Sequence, residues 1–359
     1  LRSPGSPGSP GSIRTPPASR LSAMRLSAID FDLVNAARRI LEGSLGIVPG
    51  ERLVIVGDRE RADLANALVE VTHTIGATAE IVDLTTFGDR PLRRLPEKLE
   101  DILEAAQASV FLAGVDDGEQ AMRWELLQLV RAKSLRHAHM AGATRKSLIA
   151  GFSVDPSRIL DATRAVRMRL RPDSKLRLRS ASGSDLEVKL EAAHRWAEHV
   201  GVIRPGRAES LPSGELFTTP SDVHGVFVAD ASIGGQAGAA AGLLERVPVR
   251  IEIEAGVCRT VRCPDRGLQR SVEEFLRREH NLDRVGLVIL GTNVGIVHAV
   301  GEAACDQNIP GLHLAFGCPY ADQTGATWST RTQLTVTGAS ADVDLDGVPL
   351  LRSGRYLVT

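Results

Sequence analysis

Apolar residues along the first half of the chain follow two spacings, and their alternation predicts an α/β fold. Short, almost wholly apolar runs such as Arg52–Gly57 and Ala108–Ala113 are typical of strands buried on both faces. Between them apolar positions recur at helical spacing, as in Ala62–Ile75, which ends at Gly76. Strands alternating with helices favour a parallel sheet covered on both faces. The same pattern predicts strands at Ala79–Asp83 and His137–Ala141, and helices at Asp30–Glu42, Lys98–Gln107, Glu119–Ala132 and Pro156–Leu170.

From Lys175 onward the spacing changes to a period of two. Leu176–Leu190 is interpreted as two strands around the turn SGSD. His224–Ser232 and Val247–Glu254 alternate apolar and polar residues, which is typical of half-exposed antiparallel strands. The small-residue stretch Gly234–Gly242 is predicted to be a flexible loop. One helix and four further strands are predicted at Leu268–His280, Val285–Leu290, His313–Phe316, Gln333–Val336 and Asp342–Leu345.

These patterns predict an α/β N-terminal domain with a parallel sheet, followed by an α+β domain rich in antiparallel sheet. A chain of 359 residues is too long for one typical domain, so two domains are expected, at 27–170 and 171–359. Residues 1–26 are rich in Pro, Gly and Ser and are predicted to be a disordered leader, with Met24 as the natural start.

Composition excludes several classes of protein. A net charge of −1 argues against a nucleic-acid or membrane-surface partner. No apolar run approaches the roughly 20 residues that a membrane helix needs. Four cysteines are too few for a disulfide scaffold, and no secretory segment is visible, so a cytoplasmic protein is expected. A dinucleotide-binding fold would carry a G-x-G-x-x-G motif after its first strand, and the segment that begins at Gly57 has no such motif.

Three stretches and the tail carry a resemblance to known enzymes. In order they are LPSGELFTTP (Leu211–Pro220), VILGTN (Val288–Asn293), GLHLAFGCPY (Gly311–Tyr320) and DVDLDG (Asp342–Gly347). Together they resemble the C-terminal part of the thermophilic-type metallo-aminopeptidases and their relatives, the 2,5-dihydroxypyridine ring-opening dioxygenases. Those families hold divalent metal with carboxylates and imidazoles to activate water or oxygen. The resemblance implies that Glu215, His313 and Tyr320 are the site residues, with a Glu and a His in ligand positions.

Two departures from the family pattern change the expected chemistry. Leu287 stands where the family has a glutamate before its G-T-N motif. Thr330 and Thr332 stand where it has an H-x-D pair, and a neutral hydroxyl adds no charge to a cation site. The usual two-metal centre is therefore not expected, and no metal ligand is assigned. The alternative is one divalent metal held weakly by Glu215, His313 and Tyr320. The loss of the H-x-D pair equally affects the iron site that the dioxygenases need.

Plainer interpretations stand beside these assignments. From spacing alone, Glu215 is a surface-turn carboxylate, His313 a hydrogen-bonded core histidine and Tyr320 the cap of a loop. His298 is a candidate replacement ligand, with a packed core histidine as the default. Cys318 is a candidate thiolate nucleophile beside His313, although a buried inert cysteine is commoner.

Two shorter signals complete the candidate residues. Asp222 and His224 would point the same way from an extended segment, which suits metal or acid–base work, or else a solvated turn. Cys258 and Cys263 are interpreted as structural.

Three functional hypotheses follow from the resemblance and its departures. The first is a divergent enzyme that acts on a small molecule or modified peptide by acid–base chemistry, with a biosynthetic tailoring role compatible with it. The second is a non-catalytic descendant that binds a peptide or small ligand. The third is a weak single-metal aminopeptidase or ring-cleaving dioxygenase. The resemblance also implies a homodimer, associated through the C-terminal part.

Overall fold

Strands and helices alternate up to residue 169, and strands dominate after it. The computed structural model describes residues 30–357, so the predicted leader lies outside the described residues. The helices are α1 (Phe31–Arg38, continued by a π-helical turn at Arg39–Ser44), α2 (Ala62–Ile75), α3 (Glu97–Glu104), α4 (Gln120–Ala132), α5 (Arg145–Gly151), α6 (Pro156–Arg169), α7 (Gly235–Ala241), α8 (Arg266–Leu276), α9 (Ala303–Asp306) and α10 (Ala321–Thr324). The strands are β1 (Arg52–Gly57), β2 (Thr78–Asp83), β3 (Ala108–Leu112), β4 (Arg136–His139), β5 (Lys175–Arg179), β6 (Asp185–Leu190), β7 (Ala197–His199), β8 (Arg207–Ser210), β9 (Glu215–Thr218), β10 (Pro220–Ala229), β11 (Ser232–Ile233), β12 (Val249–Glu254), β13 (Val257–Arg262), β14 (Val285–Gly291), β15 (Gly311–Gly317), β16 (Gln333–Thr337), β17 (Asp342–Leu345), β18 (Val348–Arg352) and β19 (Arg355–Tyr356).

The apolar strands of the first half form a five-stranded parallel sheet in the order β2-β1-β3-β4-β8. Helices α1, α2 and α5 bury their apolar residues on one face, and α3 and α4 on the other. Because both faces are covered, β3 is buried along its whole length, as its continuous apolar run predicts. Strand β8 comes from beyond residue 171, and the placing of a domain boundary at residue 170 stays a prediction.

Two antiparallel sheets make up the rest. One has eight strands in the order β13-β12-β10-β6-β5-β17-β18-β19, and the other has six in the order β11-β16-β15-β14-β9-β7. Both contribute alternate side chains to one large apolar core, which α8 also joins. The predicted fold class is therefore confirmed. No helix among the described residues is long and apolar enough to cross a membrane.

The predicted flexible loop at Gly234–Gly242 is wrong, because most of it is helix α7. Three of its residues are consecutive alanines, which favour a helix once tertiary contacts fix the ends. Gly238 permits the close approach of this helix to β11, since a Cβ there would lie 1.8 Å from the Ile233 carbonyl oxygen. Small size at this position serves packing rather than flexibility.

The carboxyl ends of β1 and β3 lie where strand order reverses, which is the usual ligand crevice of an open α/β sheet. An ion-pair network occupies this position. Oδ2 of Asp58 accepts from the Gly114 amide at 2.6 Å and from Nη1 of Arg90 at 3.2 Å. Nη2 of Arg90 donates to the fully buried Glu119 at 2.6 Å. These polar groups are bonded to one another rather than left open at the crevice.

Glu119→Ala is expected to lower the free energy of unfolding by about 3 kcal/mol, because it leaves the guanidinium of Arg90 without its buried partner. Urea unfolding measures the loss. Glu104→Ala is the matched control, since that carboxylate is 51% exposed and pairs with Lys133 at the surface. It is expected to cost less than about 1 kcal/mol. Equal losses in the two variants would contradict a stabilising role for the network.

Candidate functional site

The six-stranded sheet has a second face, opposite the large core, and the motif residues lie on it. Gly291 of β14 pairs with Glu215 on one side and with Gly311 on the other. Direct cross-strand partners point to the same face, so Glu215 shares this face with His313, two residues beyond Gly311. Two strand spacings separate them, which is about 10 Å across the sheet.

A tight contact between two of the sequence motifs fixes the start of β9. Gly214 has φ +125°, and a Cβ on it would lie 2.7 Å from the Cβ of Asn293. Asn293 is fully buried, and its Nδ2 donates to the carbonyls of Gly151 at 2.9 Å and Ser213 at 2.8 Å. The asparagine of the G-T-N motif therefore holds the segment that delivers Glu215.

The carboxylate of Glu215 is only 6% exposed. Oε1 accepts a hydrogen bond from Nδ1 of His199 at 3.0 Å. The two residues are direct cross-strand partners on β9 and β7. Oε2 is buried and accepts no hydrogen bond from any residue that the structure describes. Glu215 thus has one oxygen fixed by an imidazole and one oxygen free to accept a further hydrogen bond.

The ring of His199 stands edge-on to Phe217, with centroids 5.0 Å apart. Burial acts to lower the pKa of His199, but the hydrogen bond and charge of Glu215 outweigh it, with help from Glu209 and Gln323. The pKa is therefore raised above the ordinary 6.5. Because a carboxylate can only accept, the Nδ1 proton lies toward Glu215 and Nε2 points away from it.

Glu209 is a second carboxylate close to this pair. Its Oε2 accepts from the Gly201 amide at 2.9 Å. Burial raises the pKa of Glu209, although the charge of His199 and the Gly201 amide act in the opposite direction. Two carboxylates around one imidazole favour its protonated form.

Tyr320 and Gln333 add neutral polar groups beside Glu215. The tyrosine ring packs edge-on against Phe217 at 5.8 Å, and the residue has a left-handed backbone with φ 45°. Burial, then the nearby Cys318 and Glu215, raise the pKa of the Tyr320 hydroxyl, which therefore stays protonated at neutral pH. The side chain of Gln333 also contacts this hydroxyl, and its Oε1 is buried without a hydrogen-bond partner within residues 30–357.

His313 makes a different set of contacts. It is fully buried, its Nδ1 accepts from the Gly338 amide at 3.3 Å, and its Nε2 donates to the Ile309 carbonyl at 2.9 Å. Burial lowers its pKa to about 4 despite that carbonyl and the charge of Asp230. Both ring nitrogens are thus engaged by backbone, which is the arrangement of a hydrogen-bonded core histidine. Its predicted catalytic role stays a prediction.

The positions that depart from the family pattern lie in apolar or exposed surroundings. Leu287 is 2% exposed and packs with Phe217, Ile289 and Ala315. Thr330 donates to Glu279 at 3.2 Å at the surface, and the carbonyl of Thr332 accepts from the Cys318 amide.

The donors on this face do not fit a two-metal centre. Glu215 is already paired with His199, and both ring nitrogens of His313 are hydrogen-bonded. The side chain of Leu287 has no atom that could bind a metal. Within residues 30–357 no three His, Cys, Asp or Glu side chains form a group that could hold a metal ion. The expectation that the folded chain holds no stoichiometric pair of metals stays a prediction.

The other candidates from the sequence lie apart from this cluster or have a pKa that disfavours their predicted role. His298 is exposed in a loop, so the default of a core histidine is wrong. Burial raises the pKa of the Cys318 thiol, which disfavours a thiolate. Asp222 and His224 do point the same way, at 3.2 Å, but on the surface, where Asp222 also pairs with Lys189.

The chain combines a parallel α/β part with a large antiparallel body. Two solved structures share this architecture. Wild-type AmpT from Thermus thermophilus matches with a TM-score of 0.66 at 18% identity, over 92% of this chain and 100% of its own. The 2,5-dihydroxypyridine dioxygenase from Pseudomonas putida KT2440 matches with a TM-score of 0.62 at 16% identity, over 91% and 97%. No protein-family model and no curated sequence matches the chain. The likeness shows a shared fold.

Sequence reasoning missed His199, Glu209 and Gln333. Strand β7 has three residues, too few for a period to be visible, and its partner is set only by tertiary pairing. His199 follows the mixed polar and apolar segment 195–198 and belongs to no motif, so its position opposite Glu215 could not be inferred.

The contribution of the His199–Glu215 pair to stability is expected to fall as pH rises. Because the pKa of His199 is raised on folding, its stabilisation is complete below pH 6.5 and lost as pH passes through the raised value. His199→Gln should cost about 3 kcal/mol at pH 6, since it leaves a buried carboxylate unpaired, and less at pH 9. Urea unfolding across this range checks it, with the exposed His280→Gln as control. A loss in the free energy of unfolding that grows toward pH 9 would contradict an ion pair between His199 and Glu215.

Proposed function

We propose that this protein is an enzyme of aminopeptidase-like fold that acts on a small molecule or modified peptide by acid–base chemistry, without the usual two-metal centre. The observation that supports this most is the hydrogen bond from His199 Nδ1 to Glu215 Oε1. A carboxylate that orients an imidazole through Nδ1 leaves Nε2, beside the Gln323 side chain, to exchange a proton with a substrate that displaces this amide.

In the proposed reaction, neutral His199 accepts a proton from a substrate O–H or N–H at Nε2. The imidazolium that forms is stabilised by Glu215 and by the nearby Glu209, the groups that raise its pKa. The same nitrogen returns the proton to the departing or newly formed group. The side chain of His199 is 23% exposed, so a ligand can reach it.

Tyr320 and Gln333 support the choice of substrate. The Tyr320 hydroxyl remains protonated and can donate a hydrogen bond. Glu215 Oε2 and Gln333 Oε1 are buried acceptors that have no partner in the described part of the chain. Leaving a buried acceptor unsatisfied costs about 1–3 kcal/mol. A substrate that brings hydrogen-bond donors to this cluster would recover part of that cost.

A ligand-binding protein without catalysis is the second candidate. The contacts of His313 favour it, because a residue in a family ligand position here bonds only to backbone. Binding without turnover would leave the Glu215–His199 pair as a structural ion pair.

The experiment is turnover of a panel of aminoacyl p-nitroanilides, N-acyl amino-acid amides and hydroxypyridines by purified protein in EDTA, with metal content measured beforehand. At least one class is expected to react. His199→Gln and Glu215→Gln should each lower kcat by about 100-fold or more, the range for loss of a general acid–base group. His280→Gln, an exposed histidine, should retain activity.

Other outcomes of this experiment would favour one of the alternative functions. Activity abolished by EDTA and restored by zinc, iron or manganese would favour the single-metal hydrolase or dioxygenase. Ligand binding without turnover in any class would favour the non-catalytic descendant. Two equivalents of metal retained through dialysis would contradict the metal-independent proposal.

The homodimer is a further part of the proposal, carried by the resemblance alone. Sedimentation equilibrium at micromolar concentrations is expected to return twice the chain mass. The monomer mass across that range would contradict it.

A further inference from the structure

A basic cleft lies away from the candidate site, at the edge strand β13 of the eight-stranded sheet, and is lined by residues of β12, β13 and helix α8. Its volume is about 870 Å³, within the range of small-molecule sites. Five arginines line it against two carboxylates, Glu273 and Asp283, which is an excess of three positive charges on a chain of net charge −1. The arginines are Arg250, Arg259, Arg262, Arg266 and Arg277.

Two of these arginines face each other directly. Arg250 of β12 and Arg262 of β13 are cross-strand partners in the antiparallel register. Like charges directly opposite one another destabilise a sheet. This pairing of like charges therefore does not favour the hairpin, while it suits an anion bound between two guanidinium groups, each of which can donate two parallel hydrogen bonds.

The arginines are only weakly satisfied within the chain. Arg250 reaches Glu252 at 3.7 Å, Arg259 reaches Glu254 at 3.5 Å, and Arg277 reaches Glu273 at 3.8 Å. Each pair includes a side chain at least 44% exposed, so each contributes little. The guanidinium of Arg262 has no hydrogen bond or ion pair with any described residue, and that of Arg266 has one long contact to Gln269 at 3.5 Å.

We infer that this cleft binds a small molecule carrying two or more phosphate groups, with Arg250 and Arg262 as its central clamp. A polyanion matches the excess of positive charge, and a cleft concentrates that field. Its size fits a nucleotide-sized ligand. The amino terminus of α8 takes no part, because Asp265 already accepts from the Gly267 and Leu268 amides. Thr260 and Gln269 supply neutral polar groups beside the clamp.

The test uses the full chain and inorganic pyrophosphate in isothermal titration calorimetry. Wild type is expected to bind, with weaker affinity as salt is raised. The double variant Arg250→Gln with Arg262→Gln should weaken binding by at least about tenfold. Arg270→Gln is the matched control, since Arg270 lies on α8 but does not line the cleft, and it should stay within about twofold of wild type.

Thermal unfolding gives a second, independent readout. Without ligand, Arg250→Gln should melt no lower than wild type, because it removes a repulsive pair. Pyrophosphate should raise the melting temperature of wild type and leave that of the double variant unchanged.

Three results would overturn the inference. The first is no binding of pyrophosphate by wild type at millimolar concentration. The second is an equal loss of affinity in Arg270→Gln, which would mean non-specific attraction. The third is tighter binding of hexaglutamate than of pyrophosphate, which would assign the cleft to an acidic segment of a protein partner.

Discussion

Glu215 places a carboxylate where water has little access, and such a group persists as a charge only if a cation or several donors offset its lost hydration. Here the imidazole of His199, on the neighbouring strand, offsets the charge. That choice governs the surroundings. It requires β7 to pair with β9, and the carboxylate of Glu209 interacts with the charge of the same imidazole. It also leaves Oε2 of Glu215 for a ligand.

The retained motifs have a physical reason to persist that does not involve catalysis. Asn293 holds the backbone of two distant segments, and His313 bonds to backbone through both nitrogens. Replacing either would leave buried carbonyls or amides without partners, at about 1–3 kcal/mol for each group. A resemblance carried by such residues is evidence for a shared fold. Evidence for chemistry has to come from Glu215, His199 and Tyr320, whose polar atoms face one another.

Most of the fold could be predicted because its strands are either wholly apolar or strictly alternating. β3 and β6 show the two patterns, and each lies in the kind of sheet its pattern predicts. Helix α7 was missed because glycine was interpreted as flexibility, whereas Gly238 serves a close packing contact.

At the site, the motif positions could be placed on one sheet face, but the partners of their atoms could not. The role of each group depends on that partner. Glu215 has an imidazole, Tyr320 has a glutamine, and His313 has only backbone. Partners that come from short strands or distant loops leave no local period in the sequence.

Strand β8 bears on how the chain emerges from the ribosome. Between β4 and β8 lie two helices and three strands that belong to other layers. Until β8 has been synthesised, one edge of β4 has no hydrogen-bonding partner, and an unpaired strand edge is a template for association with other chains. The parallel sheet therefore cannot close as a unit while only its own helices and first four strands have emerged. The sheet is completed only after the chain beyond the hairpin of β5 and β6 has been synthesised. The nascent protein therefore passes through a stage in which chaperone protection of β4 would matter most.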